Sequence, residues 1–130
     1  MFIDANVFIA AYLDSQAQGK KARVLLEKIA KGEQNAITNA LVINEVFYRI
    51  KEIRGVELME RIHKNISAYT HLSIMPINDK VISSSIEYIR SGLEVSDAFH
   101  AATMKIAGVD TICSYDEGFD KVKGIKRQEP

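Results

Sequence analysis

Short apolar runs alternate with longer stretches in which apolar residues recur every three or four positions. Met1-Phe2-Ile3 is apolar without a break, the pattern of a short strand buried on both faces. Tyr12 to Gly19 reads as a polar connection. Lys20 to Lys31 carries Ala22, Leu25, Leu26 and Ile29 in helical register and is stopped by Gly32. Ala36-Ile37-Thr38 reads as a second strand, with Asn39 capping a helix that runs to Arg54 with Val42, Ile43, Val46, Phe47, Ile50 and Ile53 inward. Gly55 separates it from a helix over Val56 to Tyr69, with Leu58, Ile62, Ile66 and Tyr69 in register.

Leu72 to Met75, before Pro76, reads as a third strand at a sheet edge. Asp79 is placed to cap a helix bearing Ile82, Ile86, Ile89 and Leu93, and Ser96 to cap the next, Asp97 to Ala107, stopped by Gly108. Thr111-Ile112-Cys113 is a fourth strand. Tyr115 to Val122 makes one or two helical turns, and Ile125 begins a weak last strand. Strands alternating with helices predict a three-layer α/β/α sandwich with a short, mostly parallel sheet of four or five strands. No linker or repeat divides residues 1–130, so a single domain is expected.

Composition narrows the class without naming it. The 47% hydrophobic and 26% charged shares are those of an ordinary globular chain. No apolar stretch is long enough to span a membrane, and the first residues lack a signal peptide's basic region. Cys113 has no partner and sits in an apolar run, which suits a reducing cytoplasm. Lys plus Arg equals Asp plus Glu at 17 each, so net charge points to no particular partner. Gathering five acids in one cleft would leave the rest of the chain at roughly +5.

The acids have such a pattern. Asp4 ends the first strand and Asp116 follows the fourth, both at carboxyl ends, where open α/β sheets bind ligands. Glu45 lies on the polar side of its helix, about one and a half turns in, pointing back over the strand ends. Asp97 opens a helix rich in small apolar residues, which should pack closely on the sheet and bring its N-terminus to the same edge. Each acid has a simpler explanation as a cap or a solvated charge. Together they form a cluster that cannot stay fully ionised without a cation, and oxygen ligands favour Mg²⁺ or Mn²⁺. Such an ion activates water and stabilises charge on a phosphodiester under in-line attack. Asp120, near Lys121 and Lys123, is less specific, and no His or Cys spacing makes a zinc site. His100, three residues after Asp97, could hydrogen-bond near the site, although a packed structural side chain is the simpler reading.

Four stretches, Ile3-Asp4-Ala5-Asn6, Thr38 to Glu45, Asp97 to Ala102 and Ile112 to Phe119, resemble in order and spacing the PIN-domain nucleases. The size most resembles the small VapC-type toxin ribonucleases. The resemblance implies a cytoplasmic endoribonuclease in which Asp4, Glu45, Asp97 and Asp116 hold the metal and position water. It adds Asn6, Thr38 and Ser114 as supporting residues and Asp120 as an outer ligand. Ser114 stands where the family commonly has Thr, which keeps the hydroxyl. RNA contacts are expected from Lys20, Lys21 and Arg23, or from Lys123, Lys126 and Arg127 with Lys121. The apolar helices between Leu41 and Tyr69 suggest a homodimer or a groove for an antitoxin. Two alternatives stay open. One is a non-catalytic PIN-like module that binds RNA or protein. The other is a haloacid-dehalogenase-type phosphatase, which would want Asp where Asn6 stands.

Overall fold

The computed structural model describes all residues, 1–130. In chain order the elements are β1 (Phe2–Ile3), α1 (Ala5–Leu13), α2 (Ala17–Ala30), β2 (Ala36–Asn39), α3 (Ala40–Arg54) and α4 (Val56–Ala68). There follow β3 (Leu72–Met75), α5 (Asp79–Arg90), α6 (Val95–Ala107), β4 (Thr111–Cys113), a 3₁₀ turn (Glu117–Lys121) and β5 (Lys126–Gln128). The five strands form one sheet in the order β3-β2-β1-β4-β5, and every pairing is parallel.

The chain leaves β1 toward β2 and β3 through α1–α4, then returns through α5 and α6 to β4 on β1's other side. Right-handed crossovers therefore put α1–α4 on one face and α5–α6 on the other. This is the three-layer sandwich that the alternating pattern implies. The order reverses at β1, so the crevice at its carboxyl end is where a ligand site is expected. Phe2, Ile3, Val7, Phe8, Ile29, Val42, Val46, Ile50, Ile62 and Ile112 are fully buried around that central strand. No helix is long and apolar enough to cross a membrane.

Local chemistry sets the helix ends. Asp4 Oδ1 accepts from Ala5 N at 2.7 Å, and Asn39 Oδ1 accepts from Val42 N at 2.9 Å, so each side chain caps the helix that follows its strand. Gly108 takes the left-handed conformation, φ 68°, that closes α6.

Three boundaries differ from the sequence pattern. The connection expected over Tyr12 to Gly19 shrinks to Asp14–Gln16, because Asp14 folds it tightly: Oδ1 accepts from Gln16 N and Oδ2 from Gly19 N. The cap of α5 is Asn78, whose Oδ1 accepts from Val81 N, and Asp79 is its first helical residue. Ser96 lies inside the first turn of α6 and does not cap it, because its hydroxyl is drawn to Glu45.

One helix also turns a different face inward. Val81 and Ser85 of α5 are buried, while Ile82, Ile86 and Ile89 are 47%, 47% and 38% exposed. Small Ser85 returns its hydroxyl to Ile82 O, on a helix that packs closely against α6. Ile53, expected inward on α3, is exposed as well.

Gly19 carries the tightest backbone approach. A Cβ there would stand 1.9 Å from Asp14 O and 2.8 Å from Ala10 O. Both are main-chain atoms and cannot step aside. Gly19→Ala is expected to cost about 2 kcal/mol or more, read as a lower midpoint in urea unfolding. An unchanged midpoint would contradict this packing of α2 on α1.

Candidate active site

The crevice beyond β1 collects side chains from five elements. Asp4, just past β1, is buried at 5% exposure. An ionised carboxylate there needs donors, and it has them. Oδ1 accepts from Ala5 N; Oδ2 accepts from Asn6 Nδ2 at 2.8 Å and from Ser114 Oγ at 2.6 Å. Ser114 follows β4, so this bond ties the two central strands together beyond their ladder. Its hydroxyl also accepts from Asn6 Nδ2 and Asp116 N, while Asn6 Oδ1 accepts from Tyr115 N. Asn6 and Ser114, two of the residues expected to support the site, thus both hydrogen-bond to Asp4.

Glu45 arrives from α3. Its Oε1 accepts from Ser96 Oγ at 2.7 Å and lies 3.4 Å from His100 Nε2. The same nitrogen is 4.0 Å from Asp4 Oδ1. Donor atoms of Asp4, Glu45 and His100 all fall within 4.8 Å of one another. Asp97 opens the crevice side of α6, half-buried, and Asp116 stands exposed with Oδ1 accepting from Gly118 N at 2.7 Å.

Electrostatics follow from this crowding. Burial raises the pKa of Asp4, against the Ser114 hydrogen bond, the His100 ring and Ala5 N; Glu45 adds a smaller push upward. Burial also raises Asp97, and the charges of Asp4, Asp116 and Glu45 lift it further, to about 6. For Glu45, burial is again the largest single influence. His100 and Ser96 together more than offset it and hold the carboxyl below its usual range. All four acids offer oxygen, and two of them resist ionisation. That donor set suits a hard divalent cation, which would relieve the repulsion.

Other expected site residues go elsewhere. Thr38 is fully buried and its hydroxyl donates to Ile3 O at 2.9 Å, so it clamps β2 to β1 and does not reach the crevice. Asp120, expected as an outer ligand, instead pairs with Arg127, whose Nε and Nη2 donate to its two oxygens at 2.9 and 3.0 Å. Arg127 is thereby committed, also donating to Ser114 O, with its side chain 14% exposed. Arg23 donates to Ala11 O and Asp14 O at the end of α1, a structural role. Lys126 pairs with Asp110 at 3.3 Å. Lys20, Lys21 and Lys123 are exposed and hold no ion pair.

A cleft of about 930 Å³ opens beside the acids, lined by Asp97 and Asp116 at one side and by Lys121 and Lys123 among others. Two site residues escape the sequence pattern. Ser96 reads as a cap, and His100 reads as packing. The Asp97–His100 spacing shows that both can share a helix face. Only the meeting of α3 with α6 puts Ser96 and His100 against Glu45.

Comparison with known proteins agrees with the fold. The PIN domain family model matches residues 1–125. Ribonuclease VapC13 of Mycobacterium tuberculosis is 26% identical over 133 residues, covering 98% of each chain. Ribonuclease VapC2 of Methanocaldococcus jannaschii is 27% identical over 135 residues, covering 94% of this chain and 88% of its own. Among solved structures, the sarcin-ricin loop cleaving toxin VapC20 of M. tuberculosis superposes with a TM-score of 0.80 at 16% identity, over 99% of this chain and 98% of its own. A toxin-antitoxin complex from Klebsiella pneumoniae gives 0.74 at 17%, over 96% and 94%.

Asp4 and Asp97 bind protons more tightly in the folded state than in the unfolded one. Stability must then fall as pH rises from the ordinary carboxylate value through about 6, where Asp97 ionises. Glu45, shifted the other way, adds stability as pH rises toward its ordinary value of 4.5 and so opposes the fall only at the low end of that window. The melting temperature of the metal-free chain is expected to drop between about pH 4 and 7. Asp97→Asn should flatten that slope, raise the melting temperature near neutral pH, and reduce the stabilisation given by added Mg²⁺. A flat wild-type profile would contradict the crowding of the acids.

Proposed function

The chain belongs to the PIN-domain family, and from that premise we propose that it is a metal-dependent endoribonuclease, the toxin of a toxin–antitoxin pair. The observation that carries this reading is a buried Asp4 facing Glu45, with Asp97 raised to about 6 by burial and by the charges of Asp4, Asp116 and Glu45. The relatives named ribonucleases match nearly the whole chain, and the neighbouring structures include toxin–antitoxin complexes.

Asp4, Glu45, Asp97 and Asp116 would hold Mg²⁺ or Mn²⁺. When bound, the ion supplies positive charge that makes water a better nucleophile and offsets charge on the phosphate. The protein's part is orientation. Asn6 and Ser114 occupy Asp4 Oδ2, while Oδ1, which also accepts from Ala5 N, is the oxygen 4.0 Å from His100 Nε2. Ser96 holds Glu45 by Oε1, and Oε2 makes no hydrogen bond. An RNA strand would lie in the cleft with Lys121 and Lys123 toward its phosphates. Lys20 and Lys21 belong to the helix whose start is tied to this region, since Tyr115 Oη donates to Gln18 O. An antitoxin, or a second copy of this chain, would use the exposed Tyr48, Ile53 and Val56 beside the hollow lined by Phe47, Met59 and His63.

The phosphatase alternative has little footing. Where it wants a second Asp, Asn6 donates its amide to Asp4 and Ser114.

Asp4→Asn keeps a side chain able to cap α1, so the variant should fold. Its cleavage of single-stranded RNA is expected to fall by about 100-fold or more, followed on a labelled oligonucleotide. Excess chelator should abolish wild-type cleavage, and added Mg²⁺ or Mn²⁺ should restore it. Full activity in the variant or in chelator would rule out this mechanism.

A further inference from the structure

His100 is fully buried, and its Nε2 is the one buried side-chain polar atom without a hydrogen-bond partner. An unpaired buried donor or acceptor costs about 1–3 kcal/mol, so the atom calls for a partner. It lies 3.4 Å from Glu45 Oε1 and 4.0 Å from Asp4 Oδ1, between the two carboxylates.

The other ring nitrogen decides what Nε2 can do. His100 Nδ1 is 3.2 Å from Asn39 Nδ2. The amide of Asn39 cannot be turned round, because its Oδ1 already accepts from Val42 N to cap α3. Its nitrogen also donates to Thr103 Oγ1 at 3.0 Å, and that hydroxyl spends its own proton on Phe99 O. An amide nitrogen only donates, so Nδ1 must accept. The proton of the neutral ring therefore stands on Nε2. A protonated Nε2 has no lone pair to give a cation.

We propose that His100 is a positioning residue whose Nε2–H, fixed by Asn39, steadies Glu45, and that it is not a metal ligand. This rests on the reading of the carboxylates as a cation centre. Two donors, Ser96 Oγ and His100 Nε2–H, face Glu45 Oε1, and Oε2 is left free of protein partners. One asparagine thus performs two tasks. It caps the helix that carries Glu45, and it sets the tautomer of the ring that faces Glu45.

The test reads the tautomer directly. In protein carrying ¹⁵N-histidine, long-range ¹H–¹⁵N spectra should give His100 as the Nε2–H form, both metal-free and with Mg²⁺. Asn39→Asp offers the ring an acceptor in the same place and should put a proton on Nδ1. In calorimetric titrations, His100→Leu should weaken Mn²⁺ binding about 10-fold or more. His100→Gln, which returns an N–H to the position of Nε2, should recover most of that loss. In RNA cleavage the same pair should change kcat and leave KM near wild type. An Nδ1–H tautomer with Mg²⁺ bound, or imidazole nitrogen coupled to Mn²⁺ in its electron spin resonance, would make His100 a ligand and overturn the proposal. Wild-type Mn²⁺ affinity in His100→Leu would also overturn it, leaving the cation centre intact. Failure of the wild-type chain to bind Mn²⁺ would instead bring down the centre, and the proposal with it.

Discussion

A buried carboxylate at the end of the central strand is the constraint that orders this structure. Asp4 cannot sit at 5% exposure unless donors surround it, and they come from far along the chain. Ala5 N is local, Asn6 is two residues on, and Ser114 is 110 residues away in sequence. Ser114 reaches Asp4 only because β4 pairs directly with β1, Ile3 opposite Cys113. The sheet order and the satisfaction of one acid are therefore the same arrangement viewed at two scales. The hydrogen bonds that offset part of the burial of Asp4 also fix its Oδ1, bonded to Ala5 N, 4.0 Å from the His100 ring.

The donors do not cancel the repulsion from the other acids. Asp97 is held near 6 by burial and by like charges, and Asp4 is shifted in the same direction. Such crowding works against the metal-free fold and in favour of whatever positive charge enters. Sites that trade stability for function have this form. Glu45 is the exception that makes the cluster asymmetric: Ser96 and His100 hold it ionised, whereas Asp4 and Asp97 are reluctant.

Most of the fold was legible because it depends on patterns that do not require a tertiary partner. Apolar runs marked β1 and β4, and an acid after each marked the two strand ends that meet at the crevice. Helical register marked α3 and α4, and Gly55 marked the break between them. What could not be seen depends on neighbours. Four isoleucine and leucine positions drew the core face of α5, yet Ser85 is buried and Ile82 is not, because contact with α6 chose the small residue. Asp120 looked like a spare ligand until β5 brought Arg127 beside it. Arg23 looked like a phosphate contact until α1 ended within its reach. Spacing from Asp97 brought His100 near the site, but nothing in the local sequence reveals that Asn39, 61 positions earlier, holds its ring.

The central claim is that these oxygens meet to hold a hard cation, and that they give up protons in doing so. Calorimetric titration of Mg²⁺ into the metal-free chain, in two buffers of different ionisation heat, measures both at once. Near pH 6, where Asp97 is half-protonated, binding should release protons, and the release should shrink toward zero by about pH 8. No binding, or binding at pH 6 without proton release, would contradict the account.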